Sequence, residues 1–128
     1  MDWTPESSRR ARGFPVYAAL RSLGRSGVCE VVERCCAAAR RFAEALAALD
    51  AEILNEVVLN QVLFRFGSDE RTQAVLREVQ RSGEAWMGGT TWEGRAAIRI
   101  SVSNWQTGEA DIERTVEAFR RAVIGRGL

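Results

Sequence analysis

The chain has 128 residues, of which 46% are apolar and 27% charged, and its formal net charge is +1. One domain of this size buries roughly two-thirds of the surface of its unfolded chain, and the apolar share argues against wholesale disorder. No apolar run approaches the ~20 residues of a membrane helix, and the first residues are polar. We therefore expect a soluble, cytoplasmic protein that has no membrane partner.

All 18 basic residues are arginine, because the chain contains no lysine and no histidine. This excludes a lysine Schiff base with a carbonyl cofactor, a Ser-His or Cys-His nucleophile pair, and histidine metal sites. The cysteines Cys29, Cys35 and Cys36 lack the spacing of metal ligands or of a disulfide framework. We expect them to pack as small apolar residues, and we predict no metal site.

Arginine is concentrated at the front of the chain. Residues 1–41 hold eight arginines and four acids, whereas the remainder holds ten arginines and thirteen acids. A nucleic-acid-binding domain that uses this front is one alternative. The balanced net charge and the scarcity of aromatic residues among these arginines argue against it, so we expect no nucleic-acid partner.

Caps, glycines and apolar spacing predict the elements of the first half. They are a helix opening at Thr4-Pro5 and broken at Gly13 and Pro15, a helical piece from Val16 to Leu23, a turn over Gly24–Gly27, and an amphipathic helix to Leu49.

The second half alternates short strands with helices. Its predicted elements are a strand near Ile53, a strand ending at Phe66, a helix capped by Ser68 and closed by Gly83, a hairpin of Trp86–Trp92 and Arg95–Val102 across Glu93-Gly94, and a helix capped by Thr107. This order predicts an α+β fold in which helices cover one face of a small antiparallel or mixed sheet. The other face is left to water or a partner.

Arg99 belongs to that second face, because side chains alternate across a strand. Counting outward from a two-residue Glu93-Gly94 loop places it opposite Gly88. Its other neighbours on this face are Trp86, Thr90, Ala97 and Ser101. None is acidic, so the planar guanidinium suits a carboxylate or phosphate from outside. A solvated arginine on an exposed sheet is the alternative.

Three segments resemble a known family. They are "TPESSRRARGFPVYAALRSLGRSGV", starting at Thr4, Asn60-Gln61-Val62, and "TTWEGRAAIRISVSNWQT", starting at Thr90. Together they resemble the C-terminal part of the group II pyridoxal-phosphate (PLP)-dependent amino-acid decarboxylases, such as the aromatic-amino-acid and glutamate decarboxylases. The resemblance covers nearly this whole chain but only the last portion of the family's polypeptide.

The resemblance implies an aspartate-aminotransferase-like fold, in which residues 1–25 form an interdomain linking helix and residues 26–128 a small C-terminal α+β domain. It implies PLP as cofactor in the complete enzyme, a missing N-terminal PLP-binding large domain that carries the cofactor lysine, a homodimer, and an amino-acid substrate. The segment Arg99-Ile100-Ser101-Val102-Ser103-Asn104 is similar to a glutamate decarboxylase strand whose arginine contacts the substrate carboxylate. That role carries over to Arg99 alone; no catalytic or cofactor-binding residue is assigned.

The resemblance therefore implies a decarboxylase fragment that contributes carboxylate recognition and active-site closure, and that is inactive alone because it lacks lysine. A stand-alone interaction or dimerisation module derived from such a domain is the alternative. Arg9 and Arg10 also match family positions, with no role that the residues themselves indicate. The amino acid consumed, and the choice between decarboxylation and another PLP reaction, stay open.

Overall fold

The computed structural model of the chain describes residues 11–125. The predicted helix start at Thr4-Pro5 lies outside these residues, as do Arg9 and Arg10. The chain forms two compact units, Met1–Val31 and Val32–Leu128. The predicted linking role of residues 1–25 stays a prediction, because it depends on a domain that this chain does not contain.

The first helix, α1, spans Gly13–Ala47. The predicted break at Pro15 is wrong: Pro15 lies in the first turn, where the N–H that proline lacks has no helical acceptor anyway. The predicted turn at residues 24–27 shrinks to one residue, Gly24, whose φ of 65° and ψ of −176° are not helical. Glycine adopts this left-handed φ without a steric penalty, so it can accommodate the interruption of helical geometry.

The other elements follow in the predicted order. They are β1 (Glu52–Ile53), β2 (Gln61–Arg65), α2 (Asp69–Ser82), β3 (Gly88–Trp92), β4 (Arg95–Ser101) and α3 (Glu109–Ile124). The four strands form one antiparallel sheet in the order β1-β2-β4-β3. The α+β prediction is confirmed, and the sheet is antiparallel rather than mixed.

Of the two N-caps predicted for α2 and α3, one lies where the sequence places it and one lies a residue later. Ser68 caps α2 as predicted, since its Oγ accepts a hydrogen bond from the Arg71 backbone N–H at 3.2 Å. The cap of α3 is Gly108 rather than Thr107, and its N–H donates to Asp111 Oδ2 at 2.9 Å. The Asp111 carboxylate reaches back to the N-cap N–H, which is the half of a capping box that needs no side chain at the N-cap position.

The helices collect on one face of the sheet and build the core there. Phe64 of β2 and Phe119 of α3 meet edge to face, with ring centroids 5.3 Å apart. The strand alternation predicted for β2 and β4 is confirmed by the buried apolar residues of this face, which are Val62, Phe64, Ile98 and Ile100. The opposite face carries Leu63, Arg65, Ala97, Arg99 and Ser101, of which Arg65 and Ala97 are also buried. It is the face that concerns function.

Cys35 and Cys36 are buried, as predicted for small apolar residues, whereas Cys29 is exposed and contradicts that expectation. All three are free thiols. Within residues 11–125, no helix is long and apolar enough to cross a membrane.

Candidate functional site

The β3–β4 hairpin has the register that the sequence predicts. Trp92 pairs with Arg95, Thr90 with Ala97 and Gly88 with Arg99. The two loop residues, Glu93 and Gly94, have φ angles of 49° and 74°. Positive φ at both central residues is typical of the type I′ turn, whose twist matches that of the strands it joins. The turn therefore fixes Arg99 opposite a residue without a side chain.

Two of the arginines on the open face of the sheet are neutralised within the chain. Arg65 is only 5% exposed; its Nη2 lies 3.0 Å from Asp69 Oδ1, and its Nε donates to the Gly67 carbonyl at 3.0 Å. Arg95 Nη1 lies 3.2 Å from Glu52 Oε1. Both guanidinium groups thus already have an acidic partner within the chain.

Arg99 differs from these two arginines. Its cross-strand neighbours are Leu63 on β2 and Gly88 on β3. It is exposed and makes no hydrogen bond or ion pair with any residue between 11 and 125. A guanidinium with five free donors and neutral neighbours is suited to bind a carboxylate in the bidentate geometry.

An open cleft of about 820 Å³ lies at this end of β4. Its walls come from Phe42 of α1, residues 84–88, residues 99–104, residues 106–107 and the N-terminal part of α3, and Arg99 is part of the lining. Trp86, predicted as a strand residue, precedes β3 and is 82% exposed. Because the chain leaves the sheet before Gly88, the cleft opens where a longer β3 would have closed it.

Sequence reasoning missed two acids in this cleft, Glu84 and Asp111. Nothing in the hairpin pattern could indicate them, because they come from a loop and from another helix. The hydrogen bond from the Gly108 backbone, with a further one from Arg114, lowers the pKa of Asp111. That carboxylate is thereby engaged by its own helix, which leaves Glu84 as the exposed acid of the cleft.

The residues of this chain do not fit PLP. The cofactor is held as an imine by a lysine side chain in enzymes that use it, and the sequence contains no lysine. A cofactor of this kind would have to be held by another part of a longer protein. The cleft supplies a cation and hydroxyl groups, which can bind and orient an acid.

Solved structures of three enzymes share this fold. The first is Oryza sativa TDC with PLP and tryptamine, with a TM-score of 0.84 at 19% identity over 95% of this chain. Rhodiola rosea 4-hydroxyphenylacetaldehyde synthase has a TM-score of 0.82 at 24% identity over 96%. The glutamate decarboxylase domain of a Vibrio parahaemolyticus diaminobutyrate-pyruvate transaminase and L-2,4-diaminobutyrate decarboxylase has a TM-score of 0.72 at 22% identity over 86%.

No protein-family model matches the chain. The chain spans only 28% of the first two structures and 25% of the third. Identities at this level establish the fold, and the different activities of these enzymes show that one fold serves several reactions. In fold, the chain resembles a small portion of the group II PLP-dependent decarboxylases.

Proposed function

We propose that this chain is the C-terminal part of a cytoplasmic PLP-dependent amino-acid decarboxylase, and that Arg99 binds the carboxylate of its amino-acid substrate. The observation that carries the proposal is the unpartnered Arg99 in the cleft, on a face where Arg65 and Arg95 are both neutralised. The likeness in fold to part of such enzymes supports the same function.

The chemistry limits what Arg99 can contribute. If it held the carboxylate that departs as neutral CO₂, it would stabilise the charged ground state more than the transition state, which opposes catalysis. Its useful contribution is therefore orientation of the bond that breaks. This makes Arg99 a substrate-binding residue. We assign no catalytic acid, base or nucleophile to this chain.

Apolar residues on the first unit support a large-domain partner. The exposed apolar side chains of this helical segment are Phe14, Val16, Tyr17, Leu20 and Leu23. Contiguous apolar surface of this kind marks an interaction site in proteins. We propose that a PLP-binding large domain covers it, that this small domain closes over the substrate, and that the complete enzyme is a homodimer.

Carboxylate binding by the chain itself tests the role of Arg99. Acetate is titrated into the protein at constant ionic strength, with chloride as the replaced anion, and binding is followed by NMR. We expect Arg99→Gln to abolish saturable binding and Arg99→Lys to weaken it, because lysine keeps the charge but loses the planar fork. Arg95→Gln is the matched control, since it removes a cation from the same face that already has an acidic partner. Equal losses in Arg95→Gln and Arg99→Gln would contradict a specific site.

Activity tests the same residue in the longer enzyme. The coding DNA upstream of Met1 is read, and an in-frame segment encoding a lysine-containing large domain supports the fragment proposal. In that complete enzyme we expect Arg99→Lys to lose most of its activity. Near-normal turnover in the Arg99→Lys enzyme would remove Arg99 from the substrate site.

The second candidate function is a stand-alone interaction module, which the exposed apolar residues of the first unit also favour. A promoter and ribosome-binding site directly upstream of Met1 would support it. In that case the apolar surface, rather than Arg99, would be the functional part of the chain.

A further inference from the structure

The backbone of β4 divides its hydrogen-bonding groups between two neighbours. The Val102 N–H donates to the Asn60 carbonyl at 2.9 Å, in line with the β2 strand. Leu63 pairs with Arg99, but its N–H donates instead to Asn55 Oδ1, at 2.7 Å. In an antiparallel pair the backbone groups of successive residues point to opposite sides. Even-numbered residues of β4 therefore bond β2, and odd-numbered residues point towards β3.

Ser101 is an odd-numbered residue for which β3 provides no partner. Arg99 meets Gly88, the first residue of β3. Continuing the count would place Trp86 opposite Ser101, but Trp86 lies outside the strand. Across residues 11–125, neither the N–H nor the C=O of Ser101 has a backbone or side-chain partner. The Ser101 N–H thus points from an open strand edge into the cleft that Arg99 also lines.

We propose that the backbone N–H of Ser101 is the second donor to the carboxylate that Arg99 binds, an inference that rests on the proposed function. The two residues are two positions apart along one strand, which is about 7 Å and within the reach of an arginine side chain. The guanidinium supplies the charge, and the N–H is held in place by the sheet. An anion bound by a fixed main-chain donor and a charged side chain is oriented more tightly than by the side chain alone.

Gly88 keeps this approach open. A Cβ atom built at Gly88 would have no heavy atom within 4 Å, so the space beside Arg99 is empty of protein. The ligand that these groups fit is the carboxylate of a small acid. A neutral amide would lack the charge that Arg99 complements.

Amide NMR of the intact 128-residue chain tests the inference directly. Acetate is titrated into ¹⁵N-labelled protein, and acetamide serves as the neutral probe of similar shape. We expect the Ser101 amide proton to move downfield, saturably, with acetate and not with acetamide. Val102 is the internal control, because its N–H is already bonded to Asn60 and should not follow the titration.

A proline at position 101 tests the same donor by removal. Proline lacks the N–H and is tolerated at strand positions whose N–H is unpaired. We expect Ser101→Pro to weaken acetate binding about tenfold, as for loss of one charge-assisted hydrogen bond. Thr91→Pro is the matched control, since Thr91 lies in β3 with its N–H on the outer edge, and it should keep wild-type affinity.

The outcomes separate this inference from the proposed function. Arg99-dependent acetate binding without a Ser101 amide shift in the wild-type chain would overturn the second donor and leave the Arg99 site standing. Equal losses in Ser101→Pro and Thr91→Pro would also overturn it. Acetate binding that does not depend on Arg99, or no binding, would overturn both.

Discussion

Gly88 lies directly across the hairpin from Arg99, and a side chain at position 88 would enter open space. Its neighbour Gly89 has the opposite environment, because a Cβ there would lie 3.0 Å from Leu76 Cδ2 of α2. The absence of a side chain therefore has different consequences at these two adjacent positions. Gly89 allows a helix to pack closely on the sheet, whereas nothing in this chain's own packing requires a glycine at position 88.

The first prediction concerns this pair of glycines. Gly88→Val should leave the free energy of unfolding unchanged or raise it by about 0.5–1 kcal/mol, because valine favours a strand and loses less backbone entropy than glycine. It should also weaken acetate binding, since the valine methyl groups occupy the space beside Arg99. Urea unfolding and the acetate titration measure the two effects.

Gly89→Val is the control for that experiment. Its Cβ meets Leu76 at the helix–sheet contact, and such overpacking costs about 1–3 kcal/mol. A Gly88→Val variant that binds acetate as well as the wild type would show that the ligand does not use this space.

The sequence predicted the features that depend on local pattern. The Glu93-Gly94 turn fixed the hairpin register, and from the register followed the neighbours of Arg99. Ser68 and Gly83 marked both ends of α2 because capping chemistry is local. Strand alternation separated Phe64 from Arg65, and so it separated the core face from the open face.

Features that depend on distant residues could not be predicted in this way. The cleft exists because β3 starts at Gly88 instead of Trp86. Nothing in the pattern of alternating residues indicates this later start of the strand. In the sequence, Arg65 is only a charged residue within a predicted strand. Its burial depends on Asp69, in the first turn of the next helix, and on Glu52, in a two-residue strand. Gly24 interrupts a long helix that its neighbours otherwise continue.

The second prediction concerns the buried cation Arg65. Asp69→Ala should lower the free energy of unfolding by about 1–3 kcal/mol, because it removes the nearer carboxylate from a buried guanidinium and leaves it only Glu52, at 4.0 Å. It also leaves the Ala96 N–H without its acceptor. Chemical denaturation measures the loss. Arg120→Ala, which breaks an exposed pair with Glu117, should have almost no effect.

Removal of the cation itself completes this test. Arg65→Met in the Asp69→Ala background should recover part of the lost stability, because an apolar side chain needs no counter-charge at a buried position. A double variant that is less stable than Asp69→Ala alone would show that Arg65 has another stabilising role.

The third prediction is a pH dependence at the start of α3. Hydrogen bonds, first from the Gly108 backbone and then from Arg114, lower the pKa of Asp111 below its ordinary value near 3.8. A lowered carboxyl pKa stabilises the fold above the unfolded-state value, and that stabilisation is lost as the pH falls through the folded-state value. The stability advantage of the wild type over Asp111→Asn should therefore be full at pH 5 and shrink below about pH 4. Unfolding midpoints across this range measure it.

Glu113→Gln serves as its control. This variant removes an exposed acid from the same helix but keeps the bond from Gly108 to Asp111. It should retain the acid dependence of the wild type. The difference in stability between Asp111→Asn and the wild type could instead be constant from pH 5 down to the pH at which the protein unfolds. In that case Asp111 is not the group that causes the acid dependence.

The fourth prediction concerns the apolar surface of the first unit. Phe14, Tyr17 and Leu20 are spaced by three residues, so they lie on one side of the helical segment, and Leu20 is 53% exposed. In the absence of a covering domain we expect the chain to self-associate as its concentration rises. The double variant Tyr17→Ser/Leu20→Gln should shift the sedimentation profile towards monomer. It should leave the unfolding free energy of the second unit unchanged, because these side chains belong to the first unit and are more than half exposed. Val58→Gln/Leu59→Gln, which alters two exposed apolar residues of a loop, controls for a general gain in polarity. A wild-type chain that stays monomeric at every concentration would contradict the need for a covering partner.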